Sequence, residues 1–382
     1  MNVWHVARTS RSRSGKRLTH LAVLACAFAL ASSVLATPSA RPSPTVATAS
    51  RSATQQVVLL ALDGVRYQDV FEGVDPVMAR ERGVPAERFV PAERLMPELH
   101  ALMHRHGAAL GAPGVGAAIS ASGPEFVSLP GYSELLTGSG ESGCADNGCR
   151  GTRALSIADQ LAEARPDARV AVISSWPDIE RVAARSPRVA VSAGRHAGRT
   201  RGDFLSTPRS KAALERAENE RAWPGHDDFR RDRFTADLAL AYLEERAPTL
   251  MFVSLGEADE FGHQGNYVGY LEAVEHADQR IGEIWRALQA SAARGVQTTL
   301  LVTADHGRAR GFRDHGAAHP ESARVWLVAA GTSIAARGLT SAPEPRVLAD
   351  IAPSLRGHFG LPAVASSRAG KPLTELLWQP AP

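Results

Sequence analysis

Carboxylates and histidines follow three separate apolar runs in this 382-residue chain. Asp63 follows the run VVLLAL, Asp259 comes shortly after TLMFVSL, and Asp305 ends the stretch TTLLVTAD. Two of these acids have a histidine nearby, at His263 and His306. One Asp after a strand is commonly a turn former. Three such acids with two histidines instead indicate a metal site, because carboxylate and imidazole groups are ligands for divalent ions.

The apolar runs predict the elements that would position these residues. A continuous apolar run suits a strand that is buried on both faces of a parallel sheet. Predicted strands alternate with predicted helices, which is typical of a doubly wound α/β fold with a mostly parallel central sheet and helices on both faces. Ligands bind at the carboxyl ends of such strands, where the acids stand. Helical spacing of apolar residues also predicts one helix over Ala92–His106, with Pro97 near its first turn.

A hydroxyl group stands ahead of a Leu-Pro-Gly turn in the segment Phe126–Gly138. Considered alone, this segment predicts a turn and a short helix, with Ser128 as the N-cap. Beside a metal site, Ser128 has a second interpretation. A serine at a helix N-terminus has backbone N–H groups around it that suit an anion, and a metal ion can activate it as a nucleophile.

Residues 1–36 have the pattern of a secretory signal peptide. Five basic residues precede an apolar segment, Leu21–Leu35, which is too short to span a bilayer comfortably. A small-residue cleavage site ends at Ala36. Residues 37–55 are rich in Ala, Ser, Thr and Pro and predict a disordered linker. We therefore expect a periplasmic or secreted protein, and lipidation at Cys26 is the alternative.

Residues 56–382 predict a single domain, with a polar, Arg-rich and aperiodic insert at about 195–233. No further stretch of this domain is apolar and long enough to cross a membrane. Removal of the five basic residues of the signal peptide changes the formal net charge from +3 to −2, so nucleic acid is not an expected partner. Cys144 and Cys149 lie close together, and an exported chain would close them into a disulfide. Zinc binding is the alternative, but no second cysteine pair completes a thiolate site.

These motifs in this order resemble the alkaline phosphatase superfamily, and in particular its phosphatases and nucleotide pyrophosphatases/phosphodiesterases. The superfamily also includes sulfatases and cofactor-independent phosphoglycerate mutases. The resemblance covers about Val57 to Leu361. Six segments carry it: Ala61–Gly64, Ser128–Gly138, Asp259–His263, Thr303–Gly307, Asp314–Gly316 and Ala349–Ser354.

The resemblance implies an alkaline-phosphatase-like catalytic domain with two divalent metal ions and a small phosphorylated substrate. One ion would be held by Asp63, Ser128, Asp305 and His306, and the other by Asp259, His263 and His315. His319 is the alternative to His315. Oxygen and imidazole ligands without thiolates suit Zn²⁺, with Mn²⁺ or a similar ion as the alternative. Ser128, bound to metal, would attack phosphorus to give a phosphoserine that water then hydrolyses.

The chain also departs from its relatives around the nucleophile. Sulfatases carry Cys/Ser-x-Pro-x-Arg, and Tyr132 stands where the Arg would be. Diesterases often have Asn directly after the Pro, where this chain has Gly131. Monoesterases use an arginine, for which Arg66, Arg308, Arg310 and Arg313 are candidates. The sequence thus predicts an exported phosphomonoesterase or phosphodiesterase. An envelope phospho- or phosphoethanolamine transferase and a non-catalytic metal-binding scaffold are the alternatives.

Overall fold

A nine-stranded sheet forms the centre of the computed structural model, which describes residues 54–224, 226–364 and 368–376. Numbered along the chain, the strands are β1 (Gln55–Leu62), β2 (Gly107–Leu110), β3 (Ile119–Ser120), β4 (Val170–Ser174), β5 (Ala190–Ala193), β6 (Thr200–Arg201), β7 (Leu250–Leu255), β8 (Gln297–Thr303), β9 (Arg324–Val325), β10 (Leu327–Gly331), β11 (Gly338–Leu339) and β12 (Arg346–Val347). The order in the main sheet is β11-β2-β10-β8-β1-β7-β4-β5-β6, and β12-β3-β9 form a small second sheet.

Five neighbouring strands of the main sheet, in the spatial order β5, β4, β7, β1 and β8, are parallel. The antiparallel pairs of this sheet are β6 with β5, and β10 with its two neighbours β2 and β8. Strand β1 lies between β7 and β8. Leu62 pairs with Leu255 on one side, and Ala61 pairs with Thr303 on the other, so the three strands end at the same level. All residues of β1 after Gln55 are buried, as expected for a strand covered on both faces. The predicted fold class is confirmed.

Helices surround the sheet and connect its parallel strands. They are α1 (Tyr67–Phe71), α2 (Pro76–Glu81), α3 (Ala92–Leu95), α4 (Pro97–Ala101), α5 (Ser128–Thr137), α6 (Ile157–Ala164), α7 (Glu180–Ala183), α8 (Pro208–Asn219), α9 (Asp232–Arg246), α10 (Glu257–His263), α11 (Tyr267–Ala292) and α12 (Ile351–Phe359). None of the helices in the described ranges has the length and apolar character needed to cross a bilayer.

Two local expectations differ from the structure, and a third lies mostly outside the described residues. The prediction of one continuous helix over Ala92–His106 is wrong in its continuity, because the chain leaves helical geometry at Met96 and α4 begins anew at Pro97. Helical geometry then continues to His106, as a π-helix over Leu102–His106. Proline disfavours helical geometry in the residue before it, so the break falls there. The segment 195–233 is not aperiodic, since it contains α8. The predicted signal peptide and residues 37–53 of the predicted linker lie outside the described residues, and Gln55 belongs to β1.

Candidate metal centre and active site

The predicted ligands come together at the carboxyl ends of β7, β1 and β8. Asp63 directly follows β1, and Asp305 and His306 follow β8. Helix α10 begins two residues after the end of β7 and carries Asp259 and His263 on successive turns. Because the three strands are parallel neighbours, these five residues meet at one edge of the sheet.

His306 is the centre of a first group of ligand atoms. Its Nε2 lies 3.4 Å from Asp63 Oδ1 and 3.4 Å from Asp305 Oδ2. Ser128 Oγ lies 3.3 Å from the same nitrogen and 3.5 Å from Asp63 Oδ1. His306 Nδ1 donates to the carbonyl oxygen of Gly307 at 2.9 Å. That bond places the proton of the neutral ring on Nδ1 and leaves the lone pair of Nε2 facing the carboxylates.

Asp259, His263 and His315 form a second group, whose ligand atoms lie within 4.8 Å of one another. His263 Nε2 is 3.0 Å from Asp259 Oδ2 and 3.0 Å from His315 Nε2. His315 Nδ1 donates to the carbonyl oxygen of Phe126 at 3.0 Å, so its Nε2 also faces the group. His319 belongs to neither group of ligand atoms in the described part of the chain.

The first group has the electrostatic character of a cation site. Burial raises the pKa of Asp63 well above its usual value, and the charges of Asp305 and Asp259 raise it further. Burial and Asp259 likewise raise the pKa of Asp305. Asp305 Oδ2 is buried and makes no hydrogen bond to any described residue. Buried carboxylates are expensive unless a cation compensates them. The oxygen and imidazole donors therefore fit divalent metal ions.

Among the described residues, Arg308 is the one arginine that donates to a side chain of these ligands. Its Nη1 donates to Asp259 Oδ1, and its Nε and Nη2 donate to the carbonyl oxygens of Phe312 and Arg313 at 2.5 and 2.9 Å. Burial alone would raise the pKa of Asp259, but Arg308 and the two nearby histidines hold it well below its usual value. Arg308 thus braces Asp259 and the loop that carries His315.

The other candidates for a phosphate-holding arginine lie elsewhere. Arg66 is buried and forms a two-bond pair with Asp69 at 2.7 and 2.6 Å. Arg310 is exposed, and Arg313 donates from Nε to the carbonyl oxygen of His263 at 3.4 Å. None of these arginines lines the cavity described below.

Helix α5 holds Ser128 against the ligands. Val127 is its N-cap, and Ser128 is its first residue and makes no capping bond, so the N-cap interpretation of Ser128 is wrong. One turn later, a Cβ on Gly131 would lie 2.4 Å from the Asp305 carbonyl oxygen, so only glycine permits this close approach. Tyr132 then donates to Asp63 Oδ2 at 3.1 Å and accepts from Ser254 Oγ at 2.9 Å.

Asn147 is a residue beside Ser128 that the sequence did not indicate. Its Oδ1 accepts the N–H of Leu129 at 2.9 Å, and its Nδ2 has no hydrogen-bond partner among the described residues. Pro130 has no N–H, so Asn147 occupies one of the few backbone donors at this helix end. Asn147 lies between Cys144 and Cys149, whose predicted disulfide is confirmed. The short disulfide loop soon after the nucleophile segment was the signal that could have identified it.

A cavity of about 210 Å³ opens in front of Ser128. Its wall combines carboxylates, histidines, aromatic rings and one carboxamide, and it includes no lysine or arginine. The lining residues are Asp63, Ser128, Asn147, Trp176, His226, Phe229, Gly256, Asp259, Glu260 and His263. His226 and Phe229 come from the segment 195–233, which therefore contributes to the wall. The cavity gives a substrate access to the serine and to both ligand groups.

Residues 230–363 match the family model described as the metalloenzyme superfamily. A 2,3-bisphosphoglycerate-independent phosphoglycerate mutase from Ectopseudomonas mendocina is 31% identical over 134 residues, which are 35% of this chain and 25% of the mutase. The alkaline phosphatase PafA superposes with a TM-score of 0.54 at 12% identity, over 86% of this chain and 100% of PafA. A protein of the alkaline phosphatase superfamily from Vibrio parahaemolyticus gives a TM-score of 0.51 at 14% identity, over 85% of this chain and 71% of that protein. The predicted resemblance to the alkaline phosphatase superfamily is confirmed.

The structural matches and the sequence matches support different conclusions. The structural ones show a shared fold. The chain spans about a quarter of the length of the curated mutases that it matches. The match to the metalloenzyme model includes Asp259, His263, Asp305, His306 and His315. Two clusters have ligand atoms within 4.8 Å of one another, Asp63 with Asp259 and His306, and Asp259 with His263 and His315. Together with these clusters, the match supports the binding of divalent metal ions.

Proposed function

We propose that this chain is an exported hydrolase of phosphoric esters, with Ser128 as its nucleophile. The position of Ser128 Oγ carries the proposal. It lies 3.3 Å from His306 Nε2 and 3.5 Å from Asp63 Oδ1, at the wall of an open cavity. The Cys144–Cys149 disulfide supports export, because disulfides persist in oxidising compartments.

Two Zn²⁺ ions, held by the seven predicted ligands, would lower the pKa of the Ser128 hydroxyl and neutralise charge on the phosphoryl group. The residues of the chain supply the geometry. Helix α5 fixes Ser128, and Tyr132 fixes Asp63 through its hydroxyl. Ser128 Oγ attacks phosphorus, the ester oxygen leaves, and the resulting phosphoserine is hydrolysed by water.

Asn147 has the geometry of a donor to the phosphoryl group. Its Oδ1 is committed to Leu129 N–H, so the side chain presents its NH₂ group to the cavity beside Ser128. A hydrogen bond from Nδ2 to a non-bridging oxygen would strengthen as negative charge develops there in the transition state. This neutral donor takes the place of the arginine that the sequence analysis sought.

The absence of a lysine or arginine from the described cavity wall favours a phosphodiester over a phosphomonoester. A diester carries one negative charge, whereas a monoester carries close to two at neutral pH. The second charge would need a further cationic partner near the metal ions. Trp176 and Phe229 provide apolar wall for the second organic group of a diester.

The test compares hydrolysis of bis-p-nitrophenyl phosphate and p-nitrophenyl phosphate by the zinc-loaded protein. We expect chelator-sensitive turnover with a higher kcat/KM for the diester. Ser128→Ala should lower kcat by at least about 10³-fold. Ser133→Ala is the matched control, because Ser133 lies on the same helix and its buried hydroxyl has no hydrogen-bond partner among the described residues. It should retain wild-type turnover.

Other outcomes identify the alternatives. Full activity of Ser128→Ala would refute the assignment of the nucleophile. A phosphoserine that forms but is released only when an alcohol is added would indicate the transferase. Zinc binding without phosphoserine formation from either ester would indicate the metal-binding scaffold.

A further inference from the structure

Asn147 stands in a six-residue loop that the Cys144–Cys149 disulfide closes. Among the described residues, this loop makes one hydrogen bond beyond residues 142–149, the bond from Leu129 N–H to Asn147 Oδ1. The four residues between the cysteines are exposed, whereas Cys144 is only 8% exposed and packs with the hydrophobic core. Cys149 is partly buried and packs against the same core, and the disulfide joins these two ends of the exposed loop.

We infer that the disulfide positions Asn147 for catalysis, so that the activity depends on the oxidation state of Cys144 and Cys149. The inference rests on the proposed function, in which Asn147 Nδ2 contacts a phosphoryl oxygen. Cys144 and Cys149 are positioning residues, since they act through Asn147 and contact no substrate atom themselves.

The physical reason is the small number of constraints on the loop. An open loop of this length samples many backbone conformations, and closing its ends removes most of them. The single hydrogen bond to Leu129 is only partly buried, and it contributes little against that freedom because water competes for the exposed carboxamide of Asn147. A transition-state donor must be held within a fraction of an ångström. Opening the disulfide should therefore leave Asn147 Nδ2 less well positioned, while the metal ligands at the strand ends stay in place.

Reduction by tris(2-carboxyethyl)phosphine tests this inference without a dithiol that would compete for zinc. The phosphine attacks one sulfur and breaks the S–S bond. Water supplies the oxygen of the phosphine oxide and the two protons of the new thiols, so one phosphine is oxidised for each disulfide reduced. We expect kcat for bis-p-nitrophenyl phosphate to fall about tenfold on reduction. A Cys144→Ala/Cys149→Ala variant should show the same kcat whether or not the phosphine is present.

Asn147→Ala separates positioning from general stabilisation. This variant should lower kcat by about 100-fold in the oxidised protein, as expected for loss of one transition-state donor, and reduction should then change its kcat by less than twofold. The melting temperature should fall on reduction in both the wild type and Asn147→Ala, because the disulfide stabilises the fold in either background. Only the effect on kcat should require Asn147.

Two results would overturn the inference. One is an unchanged kcat after complete reduction of the wild type. The other is the same fold loss on reduction in Asn147→Ala, which would show that the disulfide acts elsewhere. If the oxidised protein hydrolyses neither ester, the proposed function fails. Titration with inorganic phosphate then tests separately whether the disulfide positions Asn147. Reduction should weaken phosphate binding severalfold in the wild type and leave it unchanged in Asn147→Ala; equal affinities before and after reduction of the wild type would refute the inference.

Discussion

Replacement of Gly131 by alanine should separate the nucleophile from its activating residues. A Cβ at this position would lie 2.4 Å from the carbonyl oxygen of Asp305 and 3.0 Å from its carbonyl carbon. Ordinary van der Waals contact begins at 3.4 Å, so the methyl group must move about 1 Å away from the end of β8. Ser128 lies one helical turn before Gly131 and would move with it, away from His306 and Asp63.

The expected loss of activity follows from that displacement. A misplacement of about 1 Å costs about 100-fold in rate when the reacting groups must be aligned, which corresponds to about 2.7 kcal/mol in the activation free energy. The expected change in stability is smaller. Overpacking costs about 1–3 kcal/mol, and alanine returns about 1 kcal/mol through its higher helix propensity. Gly131→Ala should therefore remain folded while kcat falls about 100-fold.

Gly357→Ala is the matched control for this substitution. Gly357 is exposed in α12, and a Cβ there meets no atom within 4 Å. This variant should keep wild-type kcat and gain about 0.5–1 kcal/mol in the free energy of unfolding. The assay is steady-state hydrolysis of bis-p-nitrophenyl phosphate, with urea unfolding of each protein. A Gly131→Ala protein with a kcat within threefold of wild type would refute the claim that contact between α5 and β8 positions Ser128.

Two further predictions concern the buried carboxylates. Burial and nearby carboxylates raise the pKa values of Asp63 and Asp305 in the folded protein. The metal-free protein therefore loses stability as the pH rises from the usual carboxyl range through those raised values, because these buried groups then ionise. The gap in melting temperature between zinc-loaded and chelated protein should therefore widen from pH 5 to pH 8, and scanning calorimetry showing a constant gap would contradict this account. Tyr132→Phe removes the hydroxyl that links Asp63 to Ser254, and should weaken zinc binding by about 10–100-fold in competition with a chromophoric chelator. Tyr242→Phe is the control, because it removes a tyrosine hydroxyl that donates to Asp203 outside the cavity. This variant should leave zinc affinity unchanged; a similar loss of affinity would show that the effect of Tyr132→Phe is not specific to Asp63.

The parallel centre of the sheet was predictable from sequence because its signals are local. Each buried strand is a continuous apolar run, and the acid at its end interrupts that run abruptly. Adjacent parallel strands bring such ends together, so the positions of Asp63, Asp259 and Asp305 followed from the pattern. The break at Met96 follows from Pro97, because proline restricts the backbone of the residue before it, and the helical spacing of the leucines carries no sign of that restriction.

The parts of the site that were missed depend on contacts between distant segments. Arg308 was a candidate for binding phosphate, yet it donates to Asp259, 49 residues away in the chain. Asn147 gains its position from a bond to Leu129 and from a disulfide loop whose packing the sequence does not show. In both cases the residue type suggested a polar interaction, but only the fold determined its partner.

The charge around Ser128 explains why a neutral carboxamide suits this site. For the ligand groups and Arg308 alone, in the ionised form that binds metal, Asp63, Asp259 and Asp305 contribute −3 and Arg308 contributes +1, a formal sum of −2 without the metal ions. Two divalent ions change that sum to +2. Ionised Ser128 and a monoanionic diester together bring it to zero, whereas a dianionic monoester leaves one uncompensated negative charge in a partly desolvated cavity. A further arginine at the position of Asn147 would leave a net positive charge with a diester and would favour the monoester, so Asn147→Arg should shift the ratio of kcat/KM values toward p-nitrophenyl phosphate.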